Sequence, residues 1–131
     1  MSNTTILLVE DDAILRRACA LGLEQRGWRV IAAEDGERAL SLAFLRQPAL
    51  ILLDLLMPKL AGLEALRLLR ADTATREIPV FILSNSLRES DRDEARRLGA
   101  QAYFVKSDFS LQKLAAAIAQ QLDGAPPEVD A

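Results

Sequence analysis

A chain of 131 residues fits one domain and leaves no room for a second, and with half its residues hydrophobic it can bury a single core, which excludes disorder as the default. The net charge is −3 and no run of Lys and Arg is long, which argues against direct nucleic-acid binding by this chain alone. Histidine is absent and Cys19 is the sole cysteine, so no step can use a histidine of this chain as base, metal ligand or phosphate carrier, and no internal disulfide can form.

Met1-Ser2-Asn3-Thr4-Thr5 lacks the basic, apolar, small-residue order of a signal peptide. The first apolar run is Thr5–Val9, continuous over Ile6-Leu7-Leu8-Val9 and suited to a strand buried on both faces. A helix is predicted next, with Ile14, Leu15, Ala18, Leu21 and Gly22 on one face and Gly27 at its end. Cys19 lies in this stretch and reads as a small buried hydrophobe. Trp28 is expected to be partly buried at the start of a second strand, Arg29–Ala33. Glu34 and Asp35 read as exposed loop and helix-start residues, with Asp35-Gly36 opening the second helix. Pro48 precedes the third strand, Leu50–Leu53. A third helix places Gly62, Ala65, Leu66 and Leu69 on its apolar face, with Arg67 and Arg70 on the polar side. Pro79 precedes the fourth strand, Val80–Leu83. Ser90 is the expected N-cap of a fourth helix, whose Arg88–Arg97 segment reads as a solvated face, and Gly99 ends it. The fifth strand is Ala102–Val105, followed by Ser110 as N-cap of a helix with Leu111, Leu114, Ala115, Ile118 and Leu122 inside. Residues 1–122 form the expected domain, and the Gly- and Pro-containing remainder, 123–131, reads as a tail or linker start. No apolar run approaches membrane-spanning length, so a cytoplasmic protein without membrane contact is expected.

Strand-helix alternation predicts an α/β fold with a parallel sheet covered on both faces. Ligands of such sheets bind beside the carboxyl ends of the strands. Glu10, Asp11 and Asp12 follow the first strand, Asp54 the third, Ser84 the fourth and Lys106 the fifth. In register, those groups meet on one small patch. Asp12 fits better as the cap of the first helix, because helical spacing starts at Ala13. Glu10, Asp11 and Asp54 offer the oxygens that Mg²⁺ takes. A carboxylate is also a nucleophile toward phosphorus, and phosphoryl transfer needs chiefly positioning and positive charge. The chain has only three lysines, and Lys106 is the one at a strand end, where a compact point charge suits a phosphoryl group. Ser84 can donate to a phosphoryl oxygen.

Ile6-Leu7-Leu8-Val9-Glu10-Asp11-Asp12 resembles the opening of bacterial receiver domains of two-component response regulators. Asp54-Leu55-Leu56-Met57-Pro58 with Gly62 is similar to their phosphoacceptor loop, and Ile82-Leu83-Ser84 and Tyr103-Phe104-Val105-Lys106 match two further signatures. The steps of thirty residues from Asp54 to Ser84 and twenty-two to Lys106 also fit, and the likeness runs from about Thr4 to Leu122. It implies a flavodoxin-like doubly wound sheet in order 2-1-3-4-5 with five helices. It implies that Asp54 accepts a phosphoryl group from a histidine kinase or histidine phosphotransfer protein. It also implies that Glu10, Asp11, Asp54 and the Leu56 carbonyl hold Mg²⁺, and that Lys106 meets the phosphoryl group. Ser84 and Tyr103 then act as the switch, altering contacts with a downstream protein partner. The chain is expected to catalyse only its own phosphorylation and dephosphorylation, as a monomer or a phosphorylation-dependent dimer.

Three residues depart from the common pattern of that family. Ser107 follows Lys106 where proline is frequent; a cis bond there costs about 3–4 kcal/mol without proline, so a trans bond is expected. Asn85 follows Ser84 where a small apolar residue is usual, which can narrow or polarise the mouth of the site. Ala61 replaces a frequent acid before Gly62. Leu56 cannot orient an attacking water, so slow phosphate loss is expected, over minutes or longer. Rival readings are a receiver-like interaction module that is never phosphorylated, a haloacid-dehalogenase-type phosphatase and a flavin binder. The phosphatase type needs an acid where Leu56 stands, and a flavin binder needs a Ser/Thr/Gly cradle after Val9.

Overall fold

Strands without a polar residue have no face to turn to water, and the fold stacks them in the middle. The computed structural model describes residues 4–57, 59–85, 88–108 and 110–123. Its strands are β1 (Thr5–Val9), β2 (Arg29–Ala33), β3 (Leu50–Leu53), β4 (Val80–Ser84) and β5 (Ala102–Val105). All pair in parallel, in the order β2-β1-β3-β4-β5. The flavodoxin-like expectation holds, and β4 runs one residue past Leu83 to take in Ser84. The helices are α1 (Ala13–Glu24), α2 (Gly36–Arg46), α3 (Gly62–Ala71), α4 (Glu89–Arg97) and α5 (Leu111–Asp123), and a 3₁₀ turn covers Lys106–Asp108. Helix α5 takes in Asp123, so the predicted tail was started one residue too early; the rest of that tail, 124–131, lies outside the described residues.

The pleat divides the strand residues between two cores. Leu7, Val9, Ile51, Leu53, Val80 and Ile82 pack with Ala39 and Ala43 of α2, Leu66 and Leu69 of α3 and Ala95 of α4. Ile6, Leu8, Leu50, Leu52 and Phe81 pack with Cys19 and Leu23 of α1 and Leu114 and Ile118 of α5. A fully buried Leu or Ile contributes about 1.5–3 kcal/mol, against about 0–1 kcal/mol for an exposed ion pair. The central strands therefore carry the stability. Of the α4 residues Ala95 alone is fully buried, and the helix meets α3 through the Arg67–Glu94 pair at 3.3 Å among other contacts.

Several local expectations are met. Gly27 and Gly99 have positive φ after α1 and α4. Ser110 Oγ accepts from Lys113 N–H at 3.2 Å. Trp28 is half-buried against the α1 side. Among the described residues no peptide bond is cis, so Lys106–Ser107 is trans. No described helix is long and apolar enough to cross a membrane.

Other expectations are corrected. The inward face of α1 is rotated from the predicted one: Cys19, Gly22 and Leu23 are buried, whereas Ile14 is 83 % and Leu21 52 % exposed. Gly22, on both the predicted and the observed face, lets α5 come close: a Cβ there would stand 2.1 Å from Leu111 Cδ2. Ser90 is not the cap of α4. The helix starts at Glu89 after Arg88 without a side-chain cap, and Glu89 and Asp91 meet the positive end of its dipole instead. Asp35 is buried rather than exposed. Arg70 is not left to solvent either: it donates to the carbonyls of Arg76, Ile78, Leu98 and Gly99, tying α3 to the segment that leads into β4 and to the one that closes α4.

Candidate functional site

Because all strands are parallel, their carboxyl ends share one edge. Val9 lies opposite Leu53 and Leu53 opposite Ile82, while Ser84 lies opposite Val105. The ladder continues one residue further. Glu10 N–H donates to Ala33 O at 3.0 Å and Asp54 N–H to Val9 O at 3.2 Å. These bonds fix both acids in extended backbone at the edge. Glu10, Asp54 and Ser84 are buried there, and Asp11 is exposed beside them. Asp12 accepts from the N–H groups of Ile14 and Leu15 and is the cap of α1, as expected.

Lys106 joins the group from β5. Its Nζ donates to Asp54 Oδ2 at 2.9 Å and to Glu10 Oε2 at 2.9 Å. Glu10 Oε1 is equally close at 2.9 Å but lies outside hydrogen-bond geometry. Glu10 Oε2 also accepts from Asp12 N–H, and Arg16 donates to the Glu10 carbonyl, a contact the sequence did not suggest. Burial lifts the Glu10 carboxyl above its ordinary pKa, against the opposing pull of Lys106 and the Asp12 N–H. Burial works to lower the Lys106 ammonium, but its bonds to Glu10 and Asp54 together outweigh that, and its pKa rises.

Carboxylate oxygens of Glu10, Asp11 and Asp54 lie within 4.8 Å of one another. Glu10 Oε1 is buried and accepts no hydrogen bond among the described residues. An all-oxygen set with one such atom fits a hard divalent cation.

The loop after β3 is held from several sides. Leu56 N–H donates to Asp54 Oδ1 at 3.1 Å, while the Leu56 side chain is exposed. Gly62 N–H returns to Leu55 O at 3.0 Å. A Cβ on Gly62 would stand 2.3 Å from Asp54 O and 2.5 Å from Leu55 Cα, so only glycine fits against this backbone. The sequence showed Gly62 as part of a motif and a helix face; the close approach to Asp54 is its physical reason. Lys59 adopts a left-handed backbone with φ 67° and pairs with Asp35 at 3.6 Å. Asp35 also caps α2 through Arg38 N–H at 2.8 Å. That bond holds the Asp35 carboxyl below its usual range, with Lys59 adding to it.

Tyr103 is half-buried, with the Arg92 guanidinium 4.8 Å from its ring centre, a cation–π distance. Asn85 Oδ1 accepts from Ser107 N–H at 2.8 Å, joining the residues just past Ser84 and just past Lys106. The structure thus brings together Glu10, Asp11, Asp54 and Lys106, keeps Ser84 on the same edge, and sets Tyr103 one strand position before Phe104 on β5.

Comparison with known proteins gives one answer. A family model described as the response regulator receiver domain matches residues 6–119. The phosphate regulon transcriptional regulatory protein PhoB of Pseudomonas aeruginosa is 35 % identical over 116 residues, covering 88 % of this chain and 50 % of PhoB. This chain spans about half the length of the curated relatives it matches. The receiver domain of a sensor histidine kinase from Pseudomonas aeruginosa, with a magnesium ion in its active site cleft, superposes with TM-score 0.83 at 30 % identity, covering 95 % of this chain and 100 % of that one. A manganese-bound form of the response regulator Rcp1 does so with TM-score 0.77 at 30 % identity, covering 96 % and 99 %.

Proposed function

The chain belongs to the response regulator receiver domain family, and from that premise we propose that Asp54 is its phosphoacceptor, serving a two-component phosphorelay. One observation carries this reading: Lys106 Nζ lies 2.9 Å from both Asp54 and Glu10, so the ends of three strands meet at one charged cluster. The donor is a histidine kinase or histidine phosphotransfer protein. An Asp54 carboxylate oxygen attacks phosphorus, the N–P bond to the donor imidazole breaks, and its electron pair stays on that nitrogen, which takes a proton. Asp54 is left as an acyl phosphate.

Glu10, Asp11, Asp54 and the Leu56 carbonyl would hold Mg²⁺, which when bound supplies positive charge to the phosphoryl oxygens. Lys106 releases the carboxylate oxygen it now holds and pairs with a phosphoryl oxygen. Ser84 donates its hydroxyl to another. Tyr103 turns inward, and the surface of α4, β5 and α5 changes with it. Helix α4 gives one small residue, Ala95, to the core and sets Arg92 over the Tyr103 ring, so a turn of Tyr103 reaches the helix directly. The readout is altered affinity for a downstream protein. Residues 1–122 act as the receiver, whose catalysis is confined to its own phosphorylation and dephosphorylation, in the cytoplasm. Leu56 exposes an aliphatic side chain beside Asp54 and orients no water, so the acyl phosphate persists for minutes or longer.

The test is intact mass after incubation with Mg²⁺ and acetyl phosphate, beside Asp54→Asn. A gain of one phosphoryl group in the parent alone supports the reading. A parent that stays unmodified with both acetyl phosphate and a phosphorylated histidine donor overturns it, in favour of an interaction module.

A further inference from the structure

Asn85 and Ser107 stand apart in sequence, and neither belongs to the charged cluster. Each is exposed, yet they are joined by a hydrogen bond of 2.8 Å from Ser107 N–H to Asn85 Oδ1. A proline at position 107 would have no N–H to donate, and an apolar residue at position 85 would have no oxygen to receive it. The two residues are therefore matched to one another. Their bond links the backbone immediately after Ser84 to the backbone immediately after Lys106. Those are the two segments that flank the site on the β4 and β5 side.

The charged cluster they border is closed. The Asp54 side chain is 2 % and the Lys106 side chain 15 % exposed. A nucleophile that buried reaches no phosphodonor until the groups around it part. We propose that the Asn85–Ser107 hydrogen bond is a strap that holds the two segments together at the border of the Asp54 site. Asn85 is then a positioning residue that sets how fast Asp54 meets a phosphodonor and, later, how fast water reaches the acyl phosphate. The inference rests on Asp54 being the phosphoacceptor. Parting the strap exchanges one neutral hydrogen bond for bonds to water. Such a bond is modest in net terms, so its loss is expected to change rates by about 3–10-fold.

The experiment uses the full chain and the variants Asn85→Ala, Ser107→Pro and the two combined. Three quantities are read: exchange of the Ser107 amide in the parent and in Asn85→Ala, phosphoryl uptake from acetyl phosphate with Mg²⁺, and loss of the phosphoryl group after the donor is removed. Asn85→Ala is expected to speed amide exchange and to raise both uptake and loss about 3–10-fold. The double variant is expected to match the single ones, because either change breaks the same bond. Two independent steric effects would multiply instead, and that result overturns the strap. Unchanged amide exchange, or uptake and loss equal in parent and variants, overturns it as well while leaving the phosphoacceptor reading intact. A parent that takes up no phosphoryl group from any donor overturns that reading, and with it any action of the strap on the reaction.

Discussion

Lys106 faces two carboxylates at once, and its loss leaves Glu10 and Asp54 buried side by side without a cation. Charge-assisted hydrogen bonds contribute about 1.5–3 kcal/mol each. Lys106→Met is therefore expected to lower stability by about 1–3 kcal/mol in metal-free buffer, seen as a lower urea midpoint, and to slow phosphoryl uptake at least several-fold. An unchanged midpoint would show that the bridge is energetically idle. Cys19 gives a second expectation at this scale. Burial pushes its thiol up to about 11, with Glu10 adding to the shift, so at pH 8 it should resist alkylation in the folded protein and react on unfolding. Asp35 supplies a pH test. Its folded carboxyl lies below the ordinary value of 3.8. A group depressed in this way contributes stability that is present above the unfolded value and fades as pH falls through the folded one. Asp35→Asn keeps an oxygen to cap α2 but loses the charge. The stability gap between parent and variant should be constant near neutrality and shrink below pH 3.8. A gap that widens in acid would contradict the assignment.

Elements were legible to the degree that their apolar pattern had one solution. The strand runs were clear because Ile6-Leu7-Leu8-Val9 and Leu50-Ile51-Leu52-Leu53 leave no polar face to misplace. Helix α3 was clear for the same reason, and its predicted face of Gly62, Ala65, Leu66 and Leu69 is the buried one. Helix α1 was not, because AILRRACALGLE is apolar on more than one side. Its buried residues pack with strand residues and with α5, a segment about ninety residues later that sequence spacing cannot see. The cap of α4 failed because Ser90 is a plausible cap by residue type, whereas Glu89 and Asp91 serve the dipole without one. The loop after β3 yields the prediction at this scale. Gly62→Ala puts a Cβ against the Asp54 and Leu55 backbone. Overpacking of this kind costs about 1–3 kcal/mol, and here the backbone that must move carries the proposed phosphoacceptor. A lower unfolding temperature together with reduced phosphoryl uptake is the expected pair. A fully active, fully stable variant would show that this loop has slack.

The whole molecule places its chemistry by sheet order, and that order was legible from strand-helix alternation together with the four motifs. The positions of Glu10, Asp54, Ser84 and Lys106 follow from it, since any residue just past a parallel strand arrives at the same edge. What stayed hidden were contacts between loops: the Asp35–Lys59 pair and the Asn85–Ser107 bond join segments whose proximity no local pattern encodes. Taken singly, Asn85 and Ser107 were two unrelated departures from a family pattern. The assembled acid cluster gives a further expectation. A cation that binds only the folded chain stabilises it by mass action, by about 2.7 kcal/mol at a hundredfold excess over Kd. Mg²⁺ should raise the melting temperature of the parent and do so far less for Asp11→Asn or Asp54→Asn. An equal rise in all three would point to a non-specific salt effect.

The bridge from Lys106 to Glu10 spans 96 positions of the chain, and the one to Asp54 spans 52. A ribosome that has made the first four strands has therefore made a sheet edge without its cation. The nascent chain carries its acids while those strands are laid down and gains the lysine only once the fifth strand is complete. A chain that stops short of the fifth strand therefore holds these acids without the lysine that bridges them.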